Sequence, residues 1–126
     1  MSISHYASKK LLDAIGNNTS FAVATPFVKL HTGDPGETCT GNPATNAARK
    51  AVAFSTAGST GVLTSSGALT WTSVPAGEDY SHFSIWDSSG PALTGNAIWN
   101  GTITANAVST GDTFTIASGG LVLNLE

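Results

Sequence analysis

Few residues of this chain could do acid–base chemistry, and two of them lie close together. His31 and Asp34 occur in the stretch LHTGDPGE, residues 30–37. An imidazole beside a carboxylate is the arrangement of a general base and the acid that orients it. The same Asp-Pro-Gly sequence also favours a turn, because Asp accepts from the backbone two residues on and Pro fixes φ. We prefer the turn, and we expect no enzyme.

The remaining histidines offer no better site. His82 and Asp87 flank the stretch HFSIWD, but strand alternation places them on opposite faces. His5, His31 and His82 are not spaced like metal ligands. The sequence also lacks the HExxH, Gly-x-Ser-x-Gly, phosphate-binding and dinucleotide-binding motifs. We therefore predict no catalytic residue, no metal and no cofactor.

The cysteine and the tryptophans raise two further possibilities. Cys39 is the single cysteine, which excludes an intrachain disulfide and a multi-thiolate metal site. Its Thr- and Gly-rich surroundings predict a free, exposed thiol with no base beside it. Trp71, Trp86 and Trp99 each lie within a strand pattern, which favours core packing. The alternative is a sugar-binding platform, which requires at least two of them exposed on one face.

The composition bounds the class of protein. The chain has 126 residues, a formal net charge of −3 and only 10 % charged residues. A length of this order suits one domain, 1–126. Few basic residues and a pI near 5.4 argue against a nucleic-acid ligand. The apolar runs are too short for a membrane span, and the first residues do not follow the signal-peptide pattern.

The apolar pattern predicts one helix followed by strands. Residues 1–16 form the helix, with Ser4 as its N-cap and Ala7, Leu11 and Ile15 on its apolar face. Seven or eight short strands separated by Gly and Pro turns are typical of an antiparallel β-sandwich or jelly roll. The fold class predicted is therefore all-β with one short N-terminal helix. The predicted strands are 27–31, 49–55, 62–64, 68–73, 80–87, 97–104, 113–117 and 121–125.

The segment 32–48 interrupts the regular spacing of the strands. It is rich in Gly, Pro, Asn and Thr and is too long for a hairpin turn. Loops of this length are usually functional segments or extended arms. We expect an assembly loop that reaches a neighbouring molecule. The helix, too short to be stable alone, must dock on its own sheet or on a neighbouring subunit.

Three stretches in order resemble one known family. They are LHTGDPGETCTGN followed by ARKAVAF, VPAGEDYSHFSIWDSSG followed by ALTGNAIW, and GDTFTIASGGLVLNL. This order resembles small bacteriophage virion proteins described as tail-fibre, minor tail or head-decoration proteins. The resemblance covers residues 28–125. It departs from the family at Cys39 and NPATN, where Gly and a Glu-Val segment are usual, and at Trp71, where Phe is usual.

The resemblance implies a non-enzymatic structural protein on the outer surface of a phage particle, made in the host cytoplasm. Our leading hypothesis is a capsid decoration protein that binds the shell as an oligomer, with a trimer as the assumed state. Its partners would be copies of itself and the major capsid protein or tail proteins, with neither nucleic acid nor membrane.

Two other hypotheses remain open. The alternative is a phage tail or tail-fibre component that binds host-surface glycans through exposed aromatic residues. The third is a small hydrolase that uses His31 and Asp34. The residues expected to make assembly contacts are His31, Asp34, Pro35, Glu37, Asn42, Arg49, Tyr6 and Lys10.

Overall fold

This computed structural model describes residues 2–91 and 93–125, which contain ten strands of two to twelve residues and one helix. The strands pair antiparallel, so the predicted all-β fold with one short helix is confirmed. In chain order the elements are β1 Ser2–Ile3, α1 His5–Gly16, β2 Phe27–His31, β3 Lys50–Ala51, β4 Ala53–Phe54, β5 Val62–Ser66, β6 Leu69–Trp71, β7 Glu78–Trp86, β8 Ala97–Val108, β9 Phe114–Ile116 and β10 Val122–Asn124.

The strands form one large sheet and two small ones. The large sheet has the order β1-β8-β7-β2-β3, and the small sheets are β10-β5-β4 and β6-β9. The predicted strand 49–55 is divided at Val52, because β3 pairs with β2 whereas β4 pairs with β5. The chain therefore passes from the large sheet to a small one at that residue.

The main core lies between the large sheet and the small sheets. Phe114 joins Trp71 and Tyr80, with ring centroids 5.8 Å and 5.0 Å away. The tryptophans Trp71, Trp86 and Trp99 are only 1 %, 3 % and 4 % exposed. Their predicted core packing is confirmed, and they form no exposed platform.

Strand β2 is buried on both faces. Val28 and Leu30 point into the main core, as the alternation predicts. Lys29 and His31 occupy the opposite face, yet they are only 2 % and 0 % exposed. The segment 32–48 folds over this second face of β2 and shields it from solvent.

The helix begins where the sequence predicts. The Ser4 hydroxyl accepts from the Ala7 N–H at 3.1 Å and donates to the carbonyl of Ala97 on β8. The N-cap therefore also docks the helix on the large sheet. The two residues before it, included in the predicted helix, instead form β1, which pairs with β8.

The predicted apolar face of the helix is buried only near its start. Ala7 is fully buried, whereas Leu12 and Ile15 are 66 % and 75 % exposed. The helix thus buries a residue fully only in its first turn, while Leu11 and Ala14 further along are half-buried. No helix within the described residues is long and apolar enough to cross a membrane.

Removing the Ser4 hydroxyl should destabilise the protein. Ser4→Ala deletes the N-cap and leaves the buried Ala97 carbonyl without its donor, so we expect a loss of about 1–3 kcal/mol. Urea denaturation followed by circular dichroism measures it. Ser59→Ala, in an exposed turn, is the matched control and should change stability by less than about 0.5 kcal/mol. Equal stability of the two variants would contradict the double role of Ser4.

Candidate assembly surface

The segment 32–48 is folded back on the large sheet and is not an extended arm. Its first part is a turn in which the Gly36 N–H donates to Oδ1 of Asp34 at 2.9 Å. The Gly41 N–H donates to the carbonyl of Pro35, and the Asn42 side chain to that of Asp34, both at 2.9 Å. The turn interpretation of Asp34 and Pro35 is therefore confirmed.

The second half of the segment returns along β2. The Thr32 N–H donates to the carbonyl of Asn42 at 2.9 Å, and the Ala44 N–H to that of Leu30 at 3.2 Å. Here the loop satisfies backbone groups as an added strand would. This pairing holds the segment against the sheet.

Glu78 on β7 fixes the end of the loop, and sequence reasoning did not identify it. Its carboxylate accepts from the backbone N–H groups of Thr45 and Asn46 at 2.6 Å and 3.3 Å. The contact joins residues more than thirty positions apart. No local sequence signal could have revealed it.

His31 anchors the middle of the loop to the sheet. Its Nδ1–H donates to the carbonyl of Gly41 at 2.8 Å, since a carbonyl can only accept. Its Nε2 then accepts from the Ser84 hydroxyl at 2.7 Å, and Ser84 accepts from the Trp86 Nε1–H at 2.8 Å. Both ring nitrogens are therefore occupied by structural hydrogen bonds.

The proposed acid–base pair does not form. Among the described residues no hydrogen bond or ion pair joins His31 to Asp34, whose carboxylate caps its own turn. Burial, opposed by the hydrogen bond to the Gly41 carbonyl and aided by the nearby Lys29 charge, lowers the pKa of His31 to about 4. His31 is thus a neutral structural residue at pH 7.

The expectation that Cys39 is an exposed thiol was wrong. Cys39 is fully buried in a small cluster with Trp86 and Ala97. Its S–H lies 3.5 Å from the carbonyl of Trp99. Burial raises the pKa of the Cys39 thiol to about 11, so it is protonated at pH 7 and is a poor nucleophile. The exposed-loop prediction failed because the loop folds inward at this residue.

Arg49 holds a second loop beside the first. Its guanidinium donates from Nη1 to the carbonyls of Ser88 and Thr94 at 2.7 Å and 2.9 Å. The same group stacks over the Trp86 ring, 4.4 Å from its centroid. Asp87 closes the base of this loop by accepting from Asn96. Arg49 therefore holds this second loop in place.

The two loops and the start of the helix border an open cleft of about 350 Å³, here named the assembly cleft. The Glu37 carboxylate lies 2.6 Å from Nε2 of His5, and both side chains are exposed. Lys10 lies over the ring of Tyr6, 5.7 Å from its centroid. Besides Glu37, Tyr6 and His5, the lining includes Trp86, Leu93, Asn96 and Thr38.

The sequence-predicted residues take three different roles in and around the assembly cleft. Glu37 and Tyr6 line the assembly cleft, and Lys10 lies beside it. Asp34, Pro35 and Asn42 shape the loop that forms one wall. His31 and Arg49 hold the two walls in place. Sequence reasoning missed Leu93 and Asn96, which lie in a turn-rich stretch without a pattern.

The candidate residues of this β-rich domain serve mainly to hold its loops together. The chain belongs to the family described as podophage GP4 fiber I protein gp80, which it matches over residues 2–124. It is therefore a structural protein of a phage particle, and the predicted resemblance to virion proteins is confirmed at this level. No protein in a collection of curated sequences matches it.

The stability of the protein should fall as the pH drops from about 6.5 to about 4. The folded-state pKa of His31 lies below its ordinary value of 6.5, so the unfolded chain binds the extra proton in that window. The stabilisation is complete above the unfolded pKa, and its loss amounts to about 3 kcal/mol below the folded one. Urea denaturation across this pH range measures it.

The variant His31→Gln, which cannot titrate there, should show a flatter dependence on pH. Identical slopes in wild type and His31→Gln would contradict the assignment of this pH dependence to His31.

Proposed function

We propose that this chain is a non-enzymatic fibre subunit on the outer surface of a phage particle, attached through the assembly cleft. The observation that carries the proposal is the match over residues 2–124 to a family whose description names a fibre protein. The match spans every strand and the helix, so it takes in both walls of the cleft.

The geometry supports a structural rather than a catalytic role. Both ring nitrogens of His31 are bonded, and Asp34 caps a turn. The Cys39 thiol is buried. Catalysis would need a base or nucleophile that can reach a substrate in hydrogen-bonding geometry. These three residues, which the sequence offered as possible catalytic groups, instead hold the loop on the sheet.

The assembly cleft suits attachment because it is already formed. His31 and Glu78 hold one wall, and Arg49 holds the other, through hydrogen bonds to backbone groups. A rigid site loses less conformational entropy on binding than a loop that must become ordered. Leu93, 49 % exposed, offers an apolar contact among polar neighbours.

Capsid decoration remains the second candidate, because the same cleft could bind a head shell. The family description favours the fibre. Glycan binding through tryptophan is disfavoured, since Trp71, Trp86 and Trp99 are buried. The aromatic residues that line the assembly cleft are the half-buried Tyr6 and the buried Trp86.

Labelling intact particles with gold-tagged antibody to this chain tests the location. We expect label on fibres that project from the particle, because the family description names a fibre component. Label spread over the head would replace the fibre assignment with capsid decoration. Absence of label from particles would contradict an exposed virion location altogether.

A charge reversal in the assembly cleft should weaken attachment without unfolding the domain. Glu37→Lys replaces an exposed carboxylate and places a cation next to His5. We expect at least about a tenfold loss of affinity for particles lacking this chain, equivalent to 1.4 kcal/mol. Co-sedimentation with those particles measures it, and circular dichroism checks the fold.

Asp79→Lys is the matched control, since Asp79 is an exposed acid on β7 that does not line the assembly cleft. It makes the same charge change and should bind like wild type. Equal binding by both variants would place the attachment surface elsewhere on the domain.

A further inference from the structure

The assembly cleft combines apolar side chains with a single charged one. Trp86, Leu93 and Ala97 are apolar residues of its lining, and Leu93 is the exposed one of the three. Within the described residues, Glu37 is the only Asp, Glu, Lys or Arg that lines the cleft. Long basic side chains lay an apolar stem on such a surface and keep a charged end beside water. The lining therefore matches both parts of a basic side chain.

The tryptophan, asparagine and serine donors that line the assembly cleft are used within the protein. The Trp86 Nε1–H donates to the Ser84 hydroxyl at 2.8 Å. The Asn96 backbone N–H and side-chain amide both donate to the Asp87 carboxylate, at 2.7 Å and 2.9 Å. The Ser4 hydroxyl donates to a backbone carbonyl of β8. An incoming group that needs donors finds these already bonded.

The acceptors of the assembly cleft are not used in the same way. Nε2 of His5 lies 2.6 Å from Oε2 of Glu37, and among the described residues no hydrogen bond or ion pair reaches Oε1. The side-chain oxygen of Asn96 likewise accepts from no described residue. Thr38 and Thr40 share one hydrogen bond at 2.9 Å, which leaves acceptor positions on both hydroxyls. The cleft therefore suits an occupant that donates hydrogen bonds.

Other kinds of occupant fit the assembly cleft less well. An acidic side chain would be repelled by the Glu37 carboxylate. A purely apolar side chain would cover that carboxylate without giving it a donor, and burial of a charge without a partner is costly. Lys10 does not neutralise Glu37 from within the chain: it lies over the ring of Tyr6, and no ion pair joins it to Glu37 in the described residues. A cation with an apolar stem avoids both penalties.

We propose that the assembly cleft binds a basic side chain, arginine or lysine, of the protein to which this chain attaches. The inference rests on the proposed attachment through this cleft and names the chemistry of its partner. The stem packs on Leu93, and the charged end pairs with Oε1 of Glu37. A volume of about 350 Å³ lies at the small end of the range for binding pockets, roughly 300–1,000 Å³, and suits one inserted side chain.

Titration of N-acetyl-arginine amide into the full chain, followed by NMR of the backbone amides, tests this chemistry. We expect saturable shifts at Thr38, Leu93 and Asn96. The affinity should be at least about threefold higher than for N-acetyl-norleucine amide, which keeps the stem without the charge, since an exposed ion pair contributes about that much. N-acetyl-glutamate amide should not bind.

Three variants assign the binding to the cleft. Glu37→Gln keeps the size of the side chain and should remove the preference for arginine over norleucine. Asp79→Asn removes an exposed carboxylate that does not line the cleft, and it should keep the preference. Leu93→Ser should weaken both probes alike, because it removes the contact to the stem. Equal affinity of the two probes for the wild type, or equal behaviour of Glu37→Gln and Asp79→Asn, would overturn the inference.

The probe experiment and the particle-binding experiment fail separately. If the arginine probe does not bind but Glu37→Lys still loses attachment to particles, the cleft is the attachment surface and its partner is not basic. If the probe binds through Glu37 but Glu37→Lys still attaches, the basic-side-chain site stands and attachment lies elsewhere. Sedimentation velocity identifies the source of the basic side chain. Self-association lost in Glu37→Gln would assign it to a second copy, whereas a monomeric wild type would assign it to a different protein.

Discussion

The packing of the segment 32–48 on the large sheet depends on the burial of one neutral imidazole. His31 donates to the loop through Nδ1 and accepts from Ser84 on β7 through Nε2. Since neutral imidazole supplies one donor and one acceptor, both groups are satisfied without charge. A protonated ring would present two donors, one of them to a hydroxyl already accepting from Trp86. Neutral His31 thus acts together with the backbone pairing along β2 and with Glu78 to hold the loop on the sheet.

The segment 32–48 covers the second face of the large sheet, and the side chains beneath it are buried structural residues. Lys29 is buried beside Arg49, and burial lowers its pKa, an effect that the Arg49 charge increases. Cys39 fills the space against Trp86. Side chains that resemble an active site in sequence are here the supports of an exposed surface, which is what a structural virion protein requires.

The two sides of the domain differ in how completely their backbone groups are hydrogen-bonded. Around the assembly cleft, loop backbone groups are tied by Glu78, His31 and Arg49. Along the free side of β8, the backbone of Thr102 has no strand neighbour among the described residues. The first is a surface whose loops are fixed by hydrogen bonds, and the second is a strand edge that is paired only in part.

Short-range patterns determined much of this protein. Alternation placed β2 at 27–31 and separated Val28 and Leu30 from Lys29 and His31, because side chains on a strand alternate between faces. Ser4 and Asp34 were identified correctly because capping and Asx turns involve neighbours within three residues. Tertiary structure alone decided that both faces of β2 are buried, that Cys39 lies inside and that Val52 separates two strands. Those outcomes depend on which strands and loops meet across the sheet, and residues far apart in the chain leave no local signal of their contact.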